Sequence, residues 1–272
     1  MKTSFKLIAL ALILTLSASC KANKTNEAIV VFETNYGKIT VKLFNETPLH
    51  KQNFLKLVDE GFYNGLLFHR VIADFMIQAG DPKSRNAKPG DMLGGGDVGY
   101  TIPGEFIYPQ YYHKKGALAA ARQGDNINPQ RASSGCQFYF VVGRTFTDRQ
   151  LQSLETRNKE KFLQKTYSDL LSKSEDYKKA LAANDEATKN KFMEQAMEQA
   201  ITITESSTQY LFSEEQKTHY KTIGGTPHLD GEYTVFGEVI DGLEIVENIS
   251  KTKVGVADRP LEDVIILKAK RK

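Results

Sequence analysis

The chain has 272 residues, of which 25% are charged and 40% are hydrophobic, and its formal net charge is +3. These values are ordinary for a globular protein of one or two domains with a full hydrophobic core. No long run of Lys or Arg precedes residue 268. Charge therefore gives no indication of nucleic-acid binding.

The N-terminal residues predict export. A basic leader is followed by the short apolar run Leu7–Leu16 and by small residues, which is the layout of a secretory signal peptide. Cys20 comes next and resembles the lipidated cysteine of bacterial lipoproteins, although Leu16 lies one position earlier than is usual there. We predict a signal peptide over residues 1–19 and a lipidated tether over residues 20–27. The protein is then exported to the bacterial cell envelope, anchored in the membrane by its lipid, and faces the periplasm.

Cys136 is the only other cysteine, so lipidation of Cys20 leaves no partner for an internal disulfide in the mature chain. A catalytic thiol is one interpretation of Cys136. A buried cysteine more often packs as a small hydrophobic residue, and we predict that role.

The first strands and helix follow local rules. Alternating β-branched residues predict a β-hairpin from Ala28–Thr34 and Lys38–Phe44. A helix is predicted from Pro48 to Gly61, with Thr47 as its N-cap.

The stretch Phe68–Asp81 reads as two short strands that carry polar groups among apolar ones. Arg70 and Ile72 share one face of the first strand, and Met76 and Gln78 share one face of the second. This pattern indicates an apolar pocket with two placed hydrogen-bond donors. A solvated surface arginine is the alternative that these residues alone leave open.

A Gly-rich loop and two further strands follow. The triple glycine Gly94–Gly96 lacks the Lys-Ser/Thr pair and the helix of a phosphate-binding loop, so flexible turn geometry is predicted there. Gly116–Arg122 is a strand of small residues, which suits close approach to the backbone. Gln137–Gly143 is an aromatic strand, which is typical of a buried sheet.

The segment 144–223 contains neither Gly nor Pro and is predicted to be an all-α insertion. Three helical runs are expected. The first begins with a capping box of Thr147 and Gln150, and the third with one of Ser213 and Gln216. The apolar stripes favour packing between helices, and a partner-binding groove is the alternative.

Strand patterns resume after the insertion. A strand is predicted over Tyr233–Ile240, a helix over Gly242–Ile249, a final strand over Leu261–Leu267 and a solvated end over Lys268–Lys272. Because strands flank the helical block on both sides, we predict one β domain and not two domains in tandem.

Three motifs occur in order along the chain: Phe68-His69-Arg70-Val71-Ile72 with Phe75-Met76-Ile77-Gln78, then Gln137-Phe138, then Leu229-Asp230-Gly231 with Val235-Phe236-Gly237. Together they resemble the cyclophilin family of peptidyl-prolyl cis-trans isomerases. The resemblance implies a mainly β fold, a closed eight-stranded antiparallel β-barrel capped by two helices. The barrel is assigned to residues 28–143 and 224–272, with the helical block as an inserted subdomain.

The family's functional residues carry over by motif position. Arg70 resembles the catalytic arginine, and Gln78 resembles the glutamine that holds it and the substrate backbone. The proline pocket is expected to consist of Phe75, Met76, Tyr139 and Leu229, and the rest of the groove to be lined by Ile72, Ala121, Arg122, Gln137, His228 and Tyr233. Four of these positions usually hold other residues, since Phe, Trp, His and Asn are common where Tyr139, His228, Tyr233 and Arg122 stand. Substrate preference and cyclosporin sensitivity are therefore left open.

The resemblance predicts a peptidyl-prolyl cis-trans isomerase that acts on proline-containing polypeptides among secreted or envelope proteins. No metal or cofactor is expected, because a guanidinium donor alone stabilises the twisted bond more than the planar one. We expect a monomer. A non-catalytic peptide-binding or chaperone module that uses the helical insertion is the main alternative. A hydrolase built on His69 is disfavoured, because neighbouring strand residues face opposite sides.

Overall fold

The structure is a computed structural model and describes residues 28–272. The predicted signal peptide, Cys20 and the tether lie outside the described residues. The strands are β1 Ala28–Thr34, β2 Gly37–Leu43, β3 Phe68–Ile72, β4 Met76–Ala79, β5 Thr101–Ile102, β6 Ala117–Ala120, β7 Ser133–Ser134, β8 Phe138–Val141, β9 Val235–Asp241 and β10 Ile266–Arg271. The α-helices are α1 Pro48–Asp59, α2 Asp148–Lys173, α3 Glu175–Ala182, α4 Glu186–Ser206, α5 Glu214–Thr222 and α6 Leu243–Ser250.

Eight of these strands form one antiparallel sheet in the order β10-β1-β2-β9-β6-β8-β4-β3. The predicted hairpin is confirmed, because β1 pairs with β2 along its whole length around a turn at Asn35 and Tyr36. The short strands β5 and β7 form a separate pair.

The expectation of a closed barrel is wrong. The edge strands β3 and β10 do not pair along their length, and the chain before β3 meets the start of β10 through only a few backbone hydrogen bonds, such as Ile266 N–H to Leu66 O at 2.9 Å. Beyond that point β10 runs beside α1 and its following turn, where the Ala269 N–H donates to Asn64 Oδ1 at 2.9 Å. The sheet is a curled half-barrel.

The description of the fold as mainly β is also wrong. The four helices between residues 148 and 222 contribute so many helical residues that helix exceeds strand among the residues described. The structure therefore combines a β-sheet core with four helices between residues 148 and 222.

An aromatic core fills the concave side of the sheet. Phe32, Phe54 and Phe138 lie within 6.1 Å of one another by ring centroids, and all three are buried. The helix α1 contributes Phe54, while α6 contributes Val246 and Ile249 to the same core. Both capping helices of the prediction are thus present and packed on the sheet.

The start of α1 differs from the prediction in its cap. The helix begins at Pro48 as expected, but the Thr47 side chain makes no capping hydrogen bond. The Glu105 carboxylate instead accepts from the N–H groups of Leu49 and His50, at 3.1 and 3.0 Å. A carboxylate at a helix N-terminus satisfies unpaired N–H donors and complements the helix dipole. Glu105, which is distant in sequence, therefore caps the helix in place of Thr47.

The final strand is displaced from its predicted position. It spans Ile266–Arg271, and the residues predicted to be a solvated end are paired with β1. Only Ile266 and Ala269 are buried in this strand, while Lys268, Lys270 and Arg271 are exposed. The predicted position was wrong because it was based on local apolar content. An edge strand needs few apolar residues, and its charged side chains protect it from pairing with other chains.

The segment without Gly or Pro is helical, as predicted. Both predicted capping boxes are present, at Thr147 with Gln150 and at Ser213 with Gln216. The second predicted run is divided into α3 and α4 by Asn184, whose φ of 53° ends the first helix. The helix α4 packs against α2, which agrees with the packing interpretation of the apolar stripes.

The two ends of this helical segment are joined by a backbone pairing outside the strands of the sheet. Arg144 and Gly225 exchange two backbone hydrogen bonds, of 3.3 Å from the Arg144 N–H and 3.1 Å from the Gly225 N–H. The chain therefore leaves and rejoins the sheet at paired residues.

Within residues 28–272, no helix has the length and apolar character needed to cross a membrane.

We expect Gly225→Ala to destabilise the fold by about 1 to 3 kcal/mol, because overpacking strains its neighbours. An added Cβ would lie 2.3 Å from the His113 carbonyl oxygen and 2.6 Å from Tyr220 Cε1. The matched control is Gly95→Ala, since a Cβ at Gly95 meets no atom within 4 Å. Urea unfolding of both variants checks this, and an equal free energy of unfolding for the two would contradict it.

Candidate active site

The predicted catalytic residues lie in one row across the sheet. Arg70 on β3 pairs with Gln78 on β4, and Gln78 pairs with Tyr139 on β8. Tyr139 in turn pairs with Ala119 on β6, which pairs with Val235 on β9. Because directly opposed residues of an antiparallel sheet point to the same face, this row defines the face that carries the site.

The Arg70 guanidinium lies between an amide and a carboxylate. Its Nη1 is 3.5 Å from Gln78 Oε1, and its Nε is 3.4 Å from Asp258 Oδ2. Both contacts are long, and 42% of the Arg70 side chain is exposed. A guanidinium has five N–H donors, so these two contacts leave it able to bind a further acceptor.

Gln78 is held by a second amide that is anchored in the glycine loop. Gln78 Nε2 donates to Gln137 Oε1 at 2.9 Å, and Gln137 Nε2 donates to the carbonyl oxygens of Gly94 and Gly96 at 3.0 and 2.7 Å. The buried Asp81 carboxylate accepts from the N–H groups of the same two glycines. The loop predicted to be a flexible turn is thus fixed, and it orients the amide beside Arg70.

A small cavity lies beside Arg70 and has a volume of about 150 Å³. It is lined by nine residues, all of which were predicted for the site: Arg70, Phe75, Met76, Gln78, Ala121, Arg122, Tyr139, Leu229 and Tyr233. Six of the nine lining side chains are aromatic or apolar, and the other three are Arg70, Gln78 and Arg122. This arrangement suits a small apolar ring flanked by backbone polar groups.

Three further predicted residues lie around this cavity without lining it. Ile72 packs in the same apolar cluster as Met76 and Tyr139. Gln137 lies behind Gln78, as described above. His228 stacks on Phe75, with ring centroids 5.5 Å apart. The structure brings all twelve predicted side chains into one region, and their catalytic and binding roles remain predictions.

The floor of the cavity is a buried tyrosine with a polar partner. The Tyr139 hydroxyl is 3.0 Å from His113 Nε2, and His113 Nδ1 is 3.0 Å from Asp230 Oδ1. Burial, and then the nearby Tyr233 and Asp230, raise the pKa of Tyr139 well above its ordinary value. The hydroxyl therefore stays protonated and can donate to His113.

Arg122 has little contact with solvent at the cavity edge. Only 4% of its side chain is exposed, and its guanidinium carbon lies 4.4 Å from the centroid of the Tyr233 ring. Its Nε donates to the Glu232 carbonyl oxygen at 2.9 Å, and its Nη1 contacts Asp125 at 2.6 Å. These bonds fix the Arg122 guanidinium, and its side chain forms part of the cavity wall.

A larger groove of about 800 Å³ adjoins the other side of Arg70 and Gln78. Residues 89–94 form one wall, and residues 255–261 form the other. Met92, Val256 and Leu261 are exposed there, at 73%, 84% and 67%. The larger groove therefore offers an apolar surface next to the small cavity.

His69 lies behind the site and has no hydrogen-bond partner on either ring nitrogen. It is 3% exposed, and burial, partly offset by Asp81, lowers its pKa from 6.5 to about 4. The imidazole is therefore neutral near pH 7. His69 nonetheless lines the larger groove together with Arg70 and Gln78.

Sequence reasoning missed Asp258, His113 and Asp230. Asp258 belongs to a turn in which Ala257 and Asp258 have φ of 57° and 59°, and no local pattern predicts that it meets Arg70. His113 and Asp230 are separated by more than a hundred residues. The one available signal was the tyrosine at position 139, because a buried hydroxyl requires a polar partner.

Cys136 is free, buried and located in the aromatic core. Burial raises the pKa of its thiol to about 11. The thiol is thus protonated and poorly nucleophilic near pH 7. This agrees with the packing role predicted for it.

Comparison with known proteins identifies the family. The model of the family described as "Cyclophilin type peptidyl-prolyl cis-trans isomerase/CLD" matches residues 29–153 and 173–271. The chain therefore belongs to the cyclophilin-type peptidyl-prolyl cis-trans isomerases, and the predicted enzyme class is confirmed. The gap in the match falls within α2.

Curated relatives extend over nearly the whole chain. A Staphylococcus haemolyticus protein named "Putative peptidyl-prolyl cis-trans isomerase" is 30% identical over 247 residues, which cover 90% of this chain and 92% of the relative. A Staphylococcus aureus (strain USA300) protein of the same name gives the same values. Because so little of the chain is left out, these alignments include most of the helical segment.

Solved structures share the fold at lower identity. A crystal structure of a Cryptosporidium parvum cyclophilin type peptidyl-prolyl cis-trans isomerase superposes with a TM-score of 0.52 at 20% identity, and it covers 90% of this chain and 98% of that chain. A structure of the same protein in the presence of the dipeptide Ala-Pro gives a TM-score of 0.51. The likeness shows a shared cyclophilin fold.

The depressed pKa of His69 predicts an acid-dependent loss of stability. Below pH 6.5 the unfolded chain binds a proton at this position, while the folded chain stays neutral until about pH 4. The stability associated with neutral His69 is therefore complete above pH 6.5 and is lost as the pH falls toward 4. Between pH 7 and 4.5 we expect wild type to lose about 2 to 3 kcal/mol more than His69→Leu does.

Urea unfolding at several pH values measures this difference. His69→Gln serves as a second variant that keeps a polar side chain but does not titrate. Equal losses in wild type and in both variants would show that His69 does not govern the acid response.

Proposed function

We propose that Arg70 is the residue that accelerates X-Pro isomerisation, by stabilising the twisted bond while the adjacent cavity holds the proline ring. The observation that supports this most directly is the exposed guanidinium at the rim of an apolar cavity of about 150 Å³. Phe75, Met76 and Tyr139 supply the apolar wall against which the ring packs. Membership of the isomerase family supports the reaction type.

The chemistry requires stabilisation of a state in which amide resonance is lost. The barrier to rotation is about 18–20 kcal/mol, because resonance holds the peptide bond planar. In the twisted state the nitrogen lone pair is no longer delocalised and accepts a hydrogen bond. A donor placed at that nitrogen favours the twisted state and has little effect on the planar one, which is differential binding of the transition state.

The surroundings of Arg70 fit this role. Gln78 and Asp258 contact the guanidinium at 3.5 and 3.4 Å and orient it without using all of its donors. Gln78 is itself fixed by Gln137, so its amide is placed to bind the substrate backbone beside the proline. Arginine suits this position better than lysine does, because its planar fork binds an orienting residue and a substrate together.

The substrates that we propose are proline-containing segments of unfolded polypeptides. The site is an open groove formed by the small cavity and the larger groove on either side of Arg70, so an extended chain has access to it. One similar solved structure was determined in the presence of the dipeptide Ala-Pro, which supports recognition of the proline and its preceding residue.

We expect Arg70→Ala to lower kcat/KM for an X-Pro peptide by about a hundredfold or more, mainly through kcat. Loss of one donor to a transition-state charge typically costs about that much. A protease-coupled isomerisation assay measures it. Arg149→Ala is the matched control, because Arg149 is exposed on α2. Equal rates for wild type and Arg70→Ala would refute the assignment.

We also propose that the protein is exported and anchored to the cell envelope by a lipid on Cys20, where its clients are secreted or envelope proteins. The basic leader, the apolar run Leu7–Leu16 and the small residues before Cys20 support this. The proposed lipid has to carry more than one acyl chain, because a single acyl chain binds membranes only weakly.

Replacement of Cys20 by Ser is expected to abolish incorporation of labelled fatty acid and to shift the protein from the membrane fraction to the soluble fraction. Cys136→Ala provides the control for the other thiol, and it should retain the label. Metabolic labelling followed by fractionation tests both variants. Retention of label by Cys20→Ser would contradict the proposal.

A further inference from the structure

The helical insertion reaches the floor of the proline cavity through a chain of hydrogen bonds. The Tyr220 hydroxyl, on α5 of the insertion, donates to Asp230 Oδ2 at 2.5 Å. Asp230 Oδ1 accepts from the backbone N–H of His113 at 2.8 Å and lies 3.0 Å from its ring Nδ1. His113 Nε2 is 3.0 Å from the Tyr139 hydroxyl.

Each group in this chain is withdrawn from solvent. Tyr220 and the His113 side chain are 0% exposed, the Asp230 side chain is 3% exposed, and Tyr139 is 4% exposed. Hydrogen bonds in such surroundings strengthen one another, and an unpaired member is costly. A change at one end of this hydrogen-bond chain therefore affects the groups at the other end.

The donors and acceptors can be assigned without conflict. Tyr220 and His113 Nδ1 both donate to the Asp230 carboxylate, which leaves His113 Nε2 as an acceptor for the Tyr139 hydroxyl. This assignment places a proton on His113 Nδ1 and none on Nε2. In this arrangement every hydroxyl and ring nitrogen of the chain has one partner.

Tyr220 is firmly held within the insertion. Its ring packs against those of Tyr112, Phe146 and Phe212, at centroid distances of 5.7, 6.3 and 5.6 Å. Leu151 of α2 belongs to the same cluster. The position of the Tyr220 hydroxyl is thus set by the packing of α5 on these three rings and on Leu151 of α2.

The other end of the chain is equally constrained. The Tyr139 ring lies parallel to that of His113 and edge-on to that of Tyr233, at centroid distances of 6.1 Å in both cases. Its hydroxyl contacts His113, so the orientation of the ring that lines the cavity is fixed at this end. A phenylalanine at this position has no such attachment.

We propose that Tyr220 is a positioning residue for substrate binding, which acts through Asp230 and His113 to fix the ring of Tyr139. The inference rests on the proposed function, in which Tyr139 forms the floor of the proline pocket. It gives the helical insertion a defined contribution to the reaction. The floor contacts the proline in both planar and twisted states, so its loss raises KM and leaves kcat unchanged.

The test is a double-mutant cycle with isomerisation kinetics on the full exported chain. We expect Tyr220→Phe and Tyr139→Phe each to raise KM for an X-Pro peptide by about threefold to tenfold, the effect of one lost hydrogen bond. Because both changes interrupt the same chain, the double variant should match Tyr139→Phe alone. Tyr112→Phe is the matched control, since it removes a neighbouring hydroxyl that contacts His219 and Glu215 but not Asp230. It should leave KM unchanged.

Two results would overturn the inference: an unchanged KM in Tyr220→Phe, or equal effects of Tyr220→Phe in the wild-type and Tyr139→Phe backgrounds. A measurement on the wild type does not depend on the variants folding. Nitrogen NMR of His113 should show a protonated Nδ1 and an unprotonated Nε2. The opposite tautomer would exclude the proposed chain of hydrogen bonds from Tyr220 to Tyr139. An unimpaired kcat in Arg70→Ala would refute the role of Arg70 but would not alter these results.

Discussion

Cross-strand pairing of β3, β4 and β8 is the constraint on which the site depends. Arg70, Gln78 and Tyr139 come from three strands, and register alone puts their side chains on the same face. A shift of one residue in any of these strands would turn its side chain into the core. The aromatic core on the concave side, around Phe32 and Phe138, fixes that register because it accepts only the apolar set. Packing of the core on one face of the sheet thus fixes the positions of the site residues on the other face.

The parts that sequence reasoning predicted well are those governed by short-range rules. The hairpin of β1 and β2, the helix that begins at Pro48 and both capping boxes of the insertion depend on a few neighbouring residues. The motif positions predicted the residues that gather around the cavity. Failures arose where a distant partner decides the outcome. Glu105 replaces the Thr47 cap, and pairing with β1 turns a charged tail into β10.

The same reasoning explains which parts of the site were missed. Asp258 meets Arg70 only because a turn in the left-handed region brings it across the groove, and turns of this kind leave little trace in residue type. His113 and Asp230 serve Tyr139 from two loops far apart in sequence. The half-barrel was also not predicted. A closed barrel would require β10 to pair with β3 along its length, but β10 lies beside α1 and its following turn instead.

The pairing of β1 with β10 has a consequence for how the molecule acquires its structure. Among the strands described, β1 is synthesised first and β10 last, so β1 cannot pair with β10 until synthesis is nearly complete. In the same way β2 cannot pair with β9 until the entire helical segment has been synthesised. Contacts of such long sequence separation form slowly, whereas helices form from local contacts. While the chain grows from its N-terminus, the helices can assemble before the sheet is complete. The order of synthesis thus favours a growing chain whose first hairpin stays exposed on both edges until β9 and β10 arrive.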